Sequence, residues 1–171
     1  MAAMTASRKT SPATVVGWRE WIALPDLGVA AVKAKIDTGA RSSSLHAMNV
    51  ETFDRDGATW VRFDIHPLQG GDDLVVRTEA AVLEFRRVRS SSGHQSLRPV
   101  IGTTLALAGH NFHVELTLAR RDEMGFRMLL GRQSVRGRFV VDPGRSFLIG
   151  RGPTRGTSKK KHPKKKPEEG G

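Results

Sequence analysis

The sequence contains no cysteine. That removes disulfide staples, thiolate zinc sites and a cysteine nucleophile together, and it suits a reducing cytoplasm without requiring one. No stretch approaches the roughly 18 apolar residues of a membrane span. The opening residues, MAAMTASRKTSPAT, hold no apolar core of the kind a secretion signal needs. These absences predict a soluble protein with a cytoplasmic location and no membrane contact. Three catalytic signatures are missing as well. There is no G-x-x-x-x-G-K-[ST] loop to cradle the phosphates of ATP, no H-E-x-x-H pair for zinc, and no G-x-S-x-G nucleophile elbow. The six histidines, at positions 46, 66, 94, 110, 113 and 162, are scattered, and His110 and His113 fall on opposite faces of any strand. No metal and no other cofactor is expected.

What is present fits one domain: 171 residues can bury a core without staples. The net charge of +11 is unevenly spread. Residues 151–171 carry two Arg and six Lys against two Glu, a net of +6, which leaves +5 for the rest. That Gly/Pro/Lys-rich segment, ending KKKHPKKKPEEGG, cannot form a core and is expected to be a disordered tail. It is either a solvated extension or an attachment to RNA, ribosomes or another polyanion by charge neutralisation alone, the one route by which nucleic acid would be bound. Residues 1–14 are Ser/Thr/Ala-rich without periodicity and are expected to be a disordered head.

Residues 15–150 read as all-β. Val15 to Leu24 and Val29 to Ile36 are rich in β-branched and aromatic residues around the turn-like Pro25-Asp26-Leu27-Gly28. Trp60 to His66 and Asn111 to Ala119 alternate apolar with polar residues. Two longer strands, Leu74 to Arg89 and Leu97 to Leu107, flank the polar loop Ser90 to Ser96. After the short apolar run Phe126 to Leu130, Gly131 to Arg136 suits one or two helical turns. Arg138 to Val141 and Ser146 to Ile149 suggest a closing hairpin around Asp142-Pro143-Gly144. Many short strands with regular turns indicate a sandwich or barrel. Trp18, Trp21 and Trp60, placed within strands, are expected to pack rather than to stack bases.

The most informative stretch is Lys33-Ala34-Lys35-Ile36-Asp37-Thr38-Gly39-Ala40-Arg41-Ser42-Ser43-Ser44. A β-branched strand delivers an Asp to its end. Gly39 lets the backbone pass close to that carboxylate, Thr38 offers a hydroxyl to brace a neighbouring loop, and Ala40 keeps the floor free of bulk. The simple alternative is an Asx turn leaving a strand. If Asp37 is catalytic, aspartic-peptidase chemistry needs two carboxylates close enough to share a proton. One takes a proton from the attacking water while the other, protonated, hydrogen-bonds the scissile carbonyl. The chain has a single Asp-Thr-Gly, so the second carboxylate is expected from a twofold homodimer, with another carboxylate of the same chain as the alternative. The triplet Ser42-Ser43-Ser44 beside His46 raises a serine nucleophile, but adjacent serines are more commonly an exposed strand edge.

With Ile36-Asp37-Thr38-Gly39-Ala40 set beside Met128-Leu129-Leu130-Gly131-Arg132, the chain resembles the retropepsins, and the strings KAKIDTGARSSSLHA and VRSSSGHQSLRPVI resemble the bacterial RimB-type group. The resemblance spans about Val15 to Gly150. It implies a closed acid-protease barrel with a flap hairpin, its tip at Gly93 and His94, and one short helix. It also implies an aspartic endopeptidase with Asp37, Thr38 and Gly39 as the catalytic turn. For RimB members it further implies cleavage of poly-α-glutamate beside a RimK-type ligase that modifies a ribosomal protein. The group is often labelled an ATP-dependent zinc protease, and neither noun finds its motif in this sequence.

One departure from the retropepsin pattern is informative. Many retroviral members carry an acidic residue directly after Asp-Thr-Gly-Ala, paired with the Arg of the Gly-Arg segment; here that position is Arg41. Arg41 and Arg132 would then approach without the intervening carboxylate. Together with Ala40 on the floor and Arg89, Gly93, His94 and Arg98 on the flap, they would line a cleft that favours acidic side chains. The competing expectation is that each Arg is neutralised by a partner such as Asp64, Glu79, Glu84 or Glu115. A different functional class also remains: a non-catalytic module of the same fold that docks polyanions or a ribosomal partner. Catalysis needs the Asp37 carboxylate, whereas anion binding would gain from its removal.

Overall fold

The structure, a computed structural model, describes residues 12–68, 74–90, 92–120, 125–149 and 152. The expected disordered head and tail lie outside the described residues apart from 12–14 and 152. Eleven strands and one short helix follow in order: β1 Thr14–Gly17, β2 Arg19–Leu24, β3 Val29–Asp37, β4 Ser43–His46, β5 Met48–Arg55, β6 Ala58–Ile65, β7 Val76–Arg89, β8 Gln95–Leu107, β9 His110–Ala119, β10 Met128–Gly131, α1 Arg132–Val135 and β11 Phe139–Asp142.

Six of these strands close a barrel in the order β2-β3-β10-β4-β9-β8, with β8 returning to β2 through the pair Ala23 and Ala106. The alternation of side chains along a strand sets its inside and outside. Along β3, Val32, Ala34 and Ile36 are buried in the barrel while Lys33, Lys35 and Asp37 face outward, half-buried. Ile101, Thr103, Leu105 and Leu107 of β8 meet Val114, Leu116 and Leu118 of β9 in the same interior. Met128 to Gly131 is buried throughout, which is why it reads as an unbroken apolar run. The expected all-β closed barrel with one short helix is therefore the fold.

Strands β7, β6 and β5 extend the sheet beyond β8. Strand β7 changes partner midway: Val76–Ala81 pair with β6, Val82 pairs with Ile101 of β8, and past an irregularity at Leu83 the pairing with β8 continues over Glu84–Arg89. Because β9 leaves β8 at Val100, Glu84–Arg89 and Gln95–Pro99 project as a ribbon of two strands. Pro99, which has no N–H to give, sits where β8 has a neighbour on one side only. At the tip, Ser90 N–H bonds to His94 O at 2.8 Å and Gly93 adopts a left-handed φ of 84°. This ribbon is the expected flap hairpin.

Three sequence-based expectations are corrected. Val15 to Leu24 is two strands, broken at Trp18, because β1 leaves the barrel to pair in parallel with β11. Residues 146–149 form no hairpin with β11. They run instead beside the start of β2, with Trp18 N–H donating to Arg145 O and Phe147 N–H to Arg19 O, both at 2.9 Å. The carboxylate of Glu20, fully buried, fixes this segment by accepting N–H groups from Gly17 (2.7 Å) and Leu148 (2.9 Å). Finally, Ser43 is no exposed edge; it lies in β4, between β10 and β9, and is 2% exposed.

Candidate active site

Asp37 closes β3 opposite Gly131, the last residue of β10, in a parallel pair that runs Ala34–Met128, Lys35–Leu129, Ile36–Leu130, Asp37–Gly131. The two segments singled out in the sequence are thus adjacent strands. The chain turns immediately after Asp37, and Oδ1 accepts N–H groups from Gly39 (3.1 Å) and Ala40 (3.2 Å). Oδ2 has no partner among the described residues. Thr38 and Gly39 are exposed, and the Thr38 hydroxyl makes no hydrogen bond among the described residues; its carbonyl is engaged instead, by Arg132 Nη1 at 3.2 Å. The Asx-type geometry expected of an ordinary turn is therefore present, and it leaves one carboxylate oxygen open.

The floor beneath this turn is made of backbone and two serines. Arg132 N–H donates to Ala40 O (2.7 Å) and Gln133 N–H to Arg41 O (3.1 Å). Gly131 lies so close to the Ser42 carbonyl that a Cβ there would overlap it. The Gly131 N–H donates to Ser43 Oγ at 2.9 Å, and Ser43 Oγ lies 2.9 Å from Ser134 Oγ in α1. Ser43 is thereby committed to holding the turn, which explains a buried serine without nucleophilic chemistry. Pattern alone did not single out Ser134 or Glu20, because burial of a polar residue depends on distant partners.

Arg41 and Arg132 are both exposed and are carried next to each other by these backbone bonds. Neither forms an ion pair among the described residues. The four carboxylates that could have neutralised them are engaged elsewhere: Asp64 by Arg77 (2.8 Å), Glu79 by Arg55 (2.6 Å) and Arg62 (2.7 Å), and Glu84 and Glu115 by Arg86. Hydrogen bonds first from Arg77 and then from Asn49 hold the Asp64 carboxyl below its usual range, and those from Arg55 and Arg62 do the same for Glu79.

Arg89, Gly93, His94 and Arg98 form a separate group on the flap. Arg89, Gly93 and His94 are exposed, and Arg98 donates through Nε to Ser96 Oγ at 2.9 Å. No hydrogen bond or ion pair among the described residues joins this group to the Asp37 turn. His110 and His113 diverge on β9: His110 Nε2 lies 3.3 Å from Thr14 Oγ1, whereas the His113 ring lies against Gly102. Among the described residues, no group of three or more His, Asp or Glu stands together in a way that could hold a metal ion, and no helix is long and apolar enough to cross a membrane.

A six-stranded barrel with a projecting flap and an Asp-Thr-Gly turn laid against an apolar-Gly-Arg strand defines the retropepsin-like class. The profile of the family described as "Retropepsin-like aspartic endopeptidase RimB" matches residues 15–152, and the chain belongs to this RimB-like family. Two curated relatives are both named "Probable alpha-L-glutamate ligase". One, from Shewanella halifaxensis, is 46% identical over 136 residues, covering 80% of this chain and 30% of the relative. The other, from Parasynechococcus marenigrum, is 49% identical over 136 residues, covering 80% and 29%. The chain thus spans about 30% of the length of the curated relatives it matches. The crystal structure of a Legionella pneumophila protein of unknown function superposes with a TM-score of 0.67 at 28% identity, over 82% of this chain and all of that one.

Proposed function

We propose that the chain is an aspartic endopeptidase that hydrolyses peptide bonds in acidic chains, poly-α-glutamate being the best fit, through a pair of Asp37 carboxylates brought together across a homodimer. The observation that carries this is the Asp37 turn. One oxygen is fixed by two backbone N–H groups, the other has no partner among the described residues, and Thr38 and Gly39 beside it are exposed. In the pair, the ionised carboxylate takes a proton from the attacking water, and the protonated one donates to the scissile carbonyl as it becomes tetrahedral. The proton then passes to the leaving amine, and the dyad returns to its shared state.

The choice of an acidic substrate rests on Arg41 and Arg132, two exposed arginines on neighbouring backbone segments whose possible neutralising partners are taken by other arginines. Carboxylates are what a guanidinium fork binds bidentately. The relatives' name supports the same substrate: a glutamate ligase makes the bond that such a peptidase would break.

The test is incubation of wild type and Asp37→Asn with poly-α-glutamate and with a neutral peptide, each with and without EDTA. EDTA-insensitive cleavage of the acidic chain, lowered about 10²- to 10⁴-fold in the variant, is expected. Equal cleavage by both proteins would remove Asp37 from the mechanism. Retained binding with no cleavage by either would leave the non-catalytic docking module standing.

A further inference from the structure

The outward face of β3 carries a second feature. Lys33, Lys35 and Asp37 follow one another at every second residue on that face. The antiparallel partner β2 sets Arg19 opposite Lys35 and Trp21 opposite Lys33, and on the other side β10 sets Leu129 beside Lys35. Three cations thus line the strand that ends in Asp37, and none of them makes an ion pair among the described residues.

Their surroundings hold them in place. The Arg19 guanidinium lies over the rings of Trp18 (4.6 Å) and Phe147 (5.0 Å), and its Nε donates to Ser146 Oγ at 3.0 Å. The Lys33 ammonium lies 5.3 Å from the Phe126 ring centre. Burial first, and the Arg19 charge second, push the Lys33 ammonium below its usual range. A carboxylate placed between the two cations would offset the repulsion between them.

We infer that Lys35, with Lys33 and Arg19 beside it, is the specificity-determining strip that reads acidic side chains next to the cleaved bond. An extended chain presents alternate side chains on one face at roughly 6.7 Å, the same step that separates Lys33 from Lys35 and Lys35 from Asp37. A glutamate chain running along this face would set one carboxylate at Lys35 and the next but one at Lys33, with its backbone passing Asp37. This inference rests on the acidic-chain peptidase reading and adds to it residues distinct from Arg41 and Arg132.

The test separates the two ideas. In the full chain carrying Asp37→Asn, so that nothing is cut, binding of a labelled α-linked glutamate oligomer and of a glutamine oligomer of equal length is followed by fluorescence anisotropy. Lys35→Gln should lower the ratio of the two affinities about 5- to 30-fold, as for loss of one charge-assisted contact. Lys35→Arg, which keeps the charge, should hold the ratio within about threefold by the same reasoning. Thermal melting of each variant checks that it is folded. If the parent prefers the glutamate oligomer and both Lys35→Gln and Lys33→Gln retain that preference in full, this inference fails while the acidic-chain reading survives. If the parent itself shows no preference, both fail.

Discussion

Replacing Ser43 by Ala should cost far more than an alanine at a serine-rich strand edge would. Its hydroxyl accepts the Gly131 N–H at 2.9 Å and pairs with Ser134 Oγ at 2.9 Å, with Ser43 and Ser134 only 2% and 8% exposed. Water cannot readily take over either bond. A buried donor left without an acceptor costs about 1–3 kcal/mol. The hydroxyl of Ser134 loses its partner too, so Ser43→Ala should destabilise by about 2–3 kcal/mol, or roughly 5–10 °C in melting temperature for a domain of this size. Ser134→Ala leaves Ser43 bonded to Gly131 and should cost about 1 kcal/mol. The double variant should be no less stable than Ser43→Ala alone, a coupling of about 1 kcal/mol, because the second change removes a hydroxyl that the first had already stranded. Urea unfolding followed through the three tryptophans measures all four proteins. A Ser43→Ala change within about 0.5 kcal/mol of wild type, the range of ordinary surface substitutions, would refute the assignment of Ser43 as the bond that holds the turn's floor.

Gly131→Ala should be worse than Ser43→Ala, since the new methyl overlaps the Ser42 carbonyl and neither backbone can yield without parting β10 from the Asp37 turn. We expect about 3 kcal/mol or more, read in the same urea assay, and loss of any Asp37-dependent cleavage. The Asp64 carboxyl, held below its usual range by Arg77 and Asn49, gives stability that is fully present above the unfolded carboxyl range near pH 4 and is lost as pH falls through the lower, folded value. Asp64→Asn should therefore narrow its stability gap to wild type as pH drops from 7 toward 3, and a gap that stays constant in urea titrations would contradict this.

The parts legible in the sequence are those whose signal is local. Pro25-Asp26-Leu27-Gly28 and the Gly93 tip are visible because each demands particular backbone angles, and Gly28 and Gly93 do adopt positive φ. The Asp37 turn and the Gly131-Arg132 segment were recognisable as a pair, and the strand register joins them. What was hidden depended on partners far along the chain. Strand β5 carries Asn49, Glu51, Thr52 and Asp54 and looks like a loop; it is a strand because β6 supplies its bonds. Ser43 and Glu20 are polar residues made buried by distant N–H groups, and no periodicity announces that. The strip of Lys33 and Lys35 was written plainly as alternation ahead of Asp37, but its meaning needed the face on which Asp37 lies.

The parallel pairing of β1 with β11, from Thr14 beside Phe139 to Gly17 beside Asp142, has a mechanical consequence. Tension that draws residue 14 and residue 142 apart acts along both strands in opposite directions, so it shears their bonds collectively. A hairpin such as β5 and β6, pulled at its open end, instead peels one bond at a time. The barrel thus carries a latch where β1 and β11 meet, and under load the rate of rupture of that latch governs how long the fold survives.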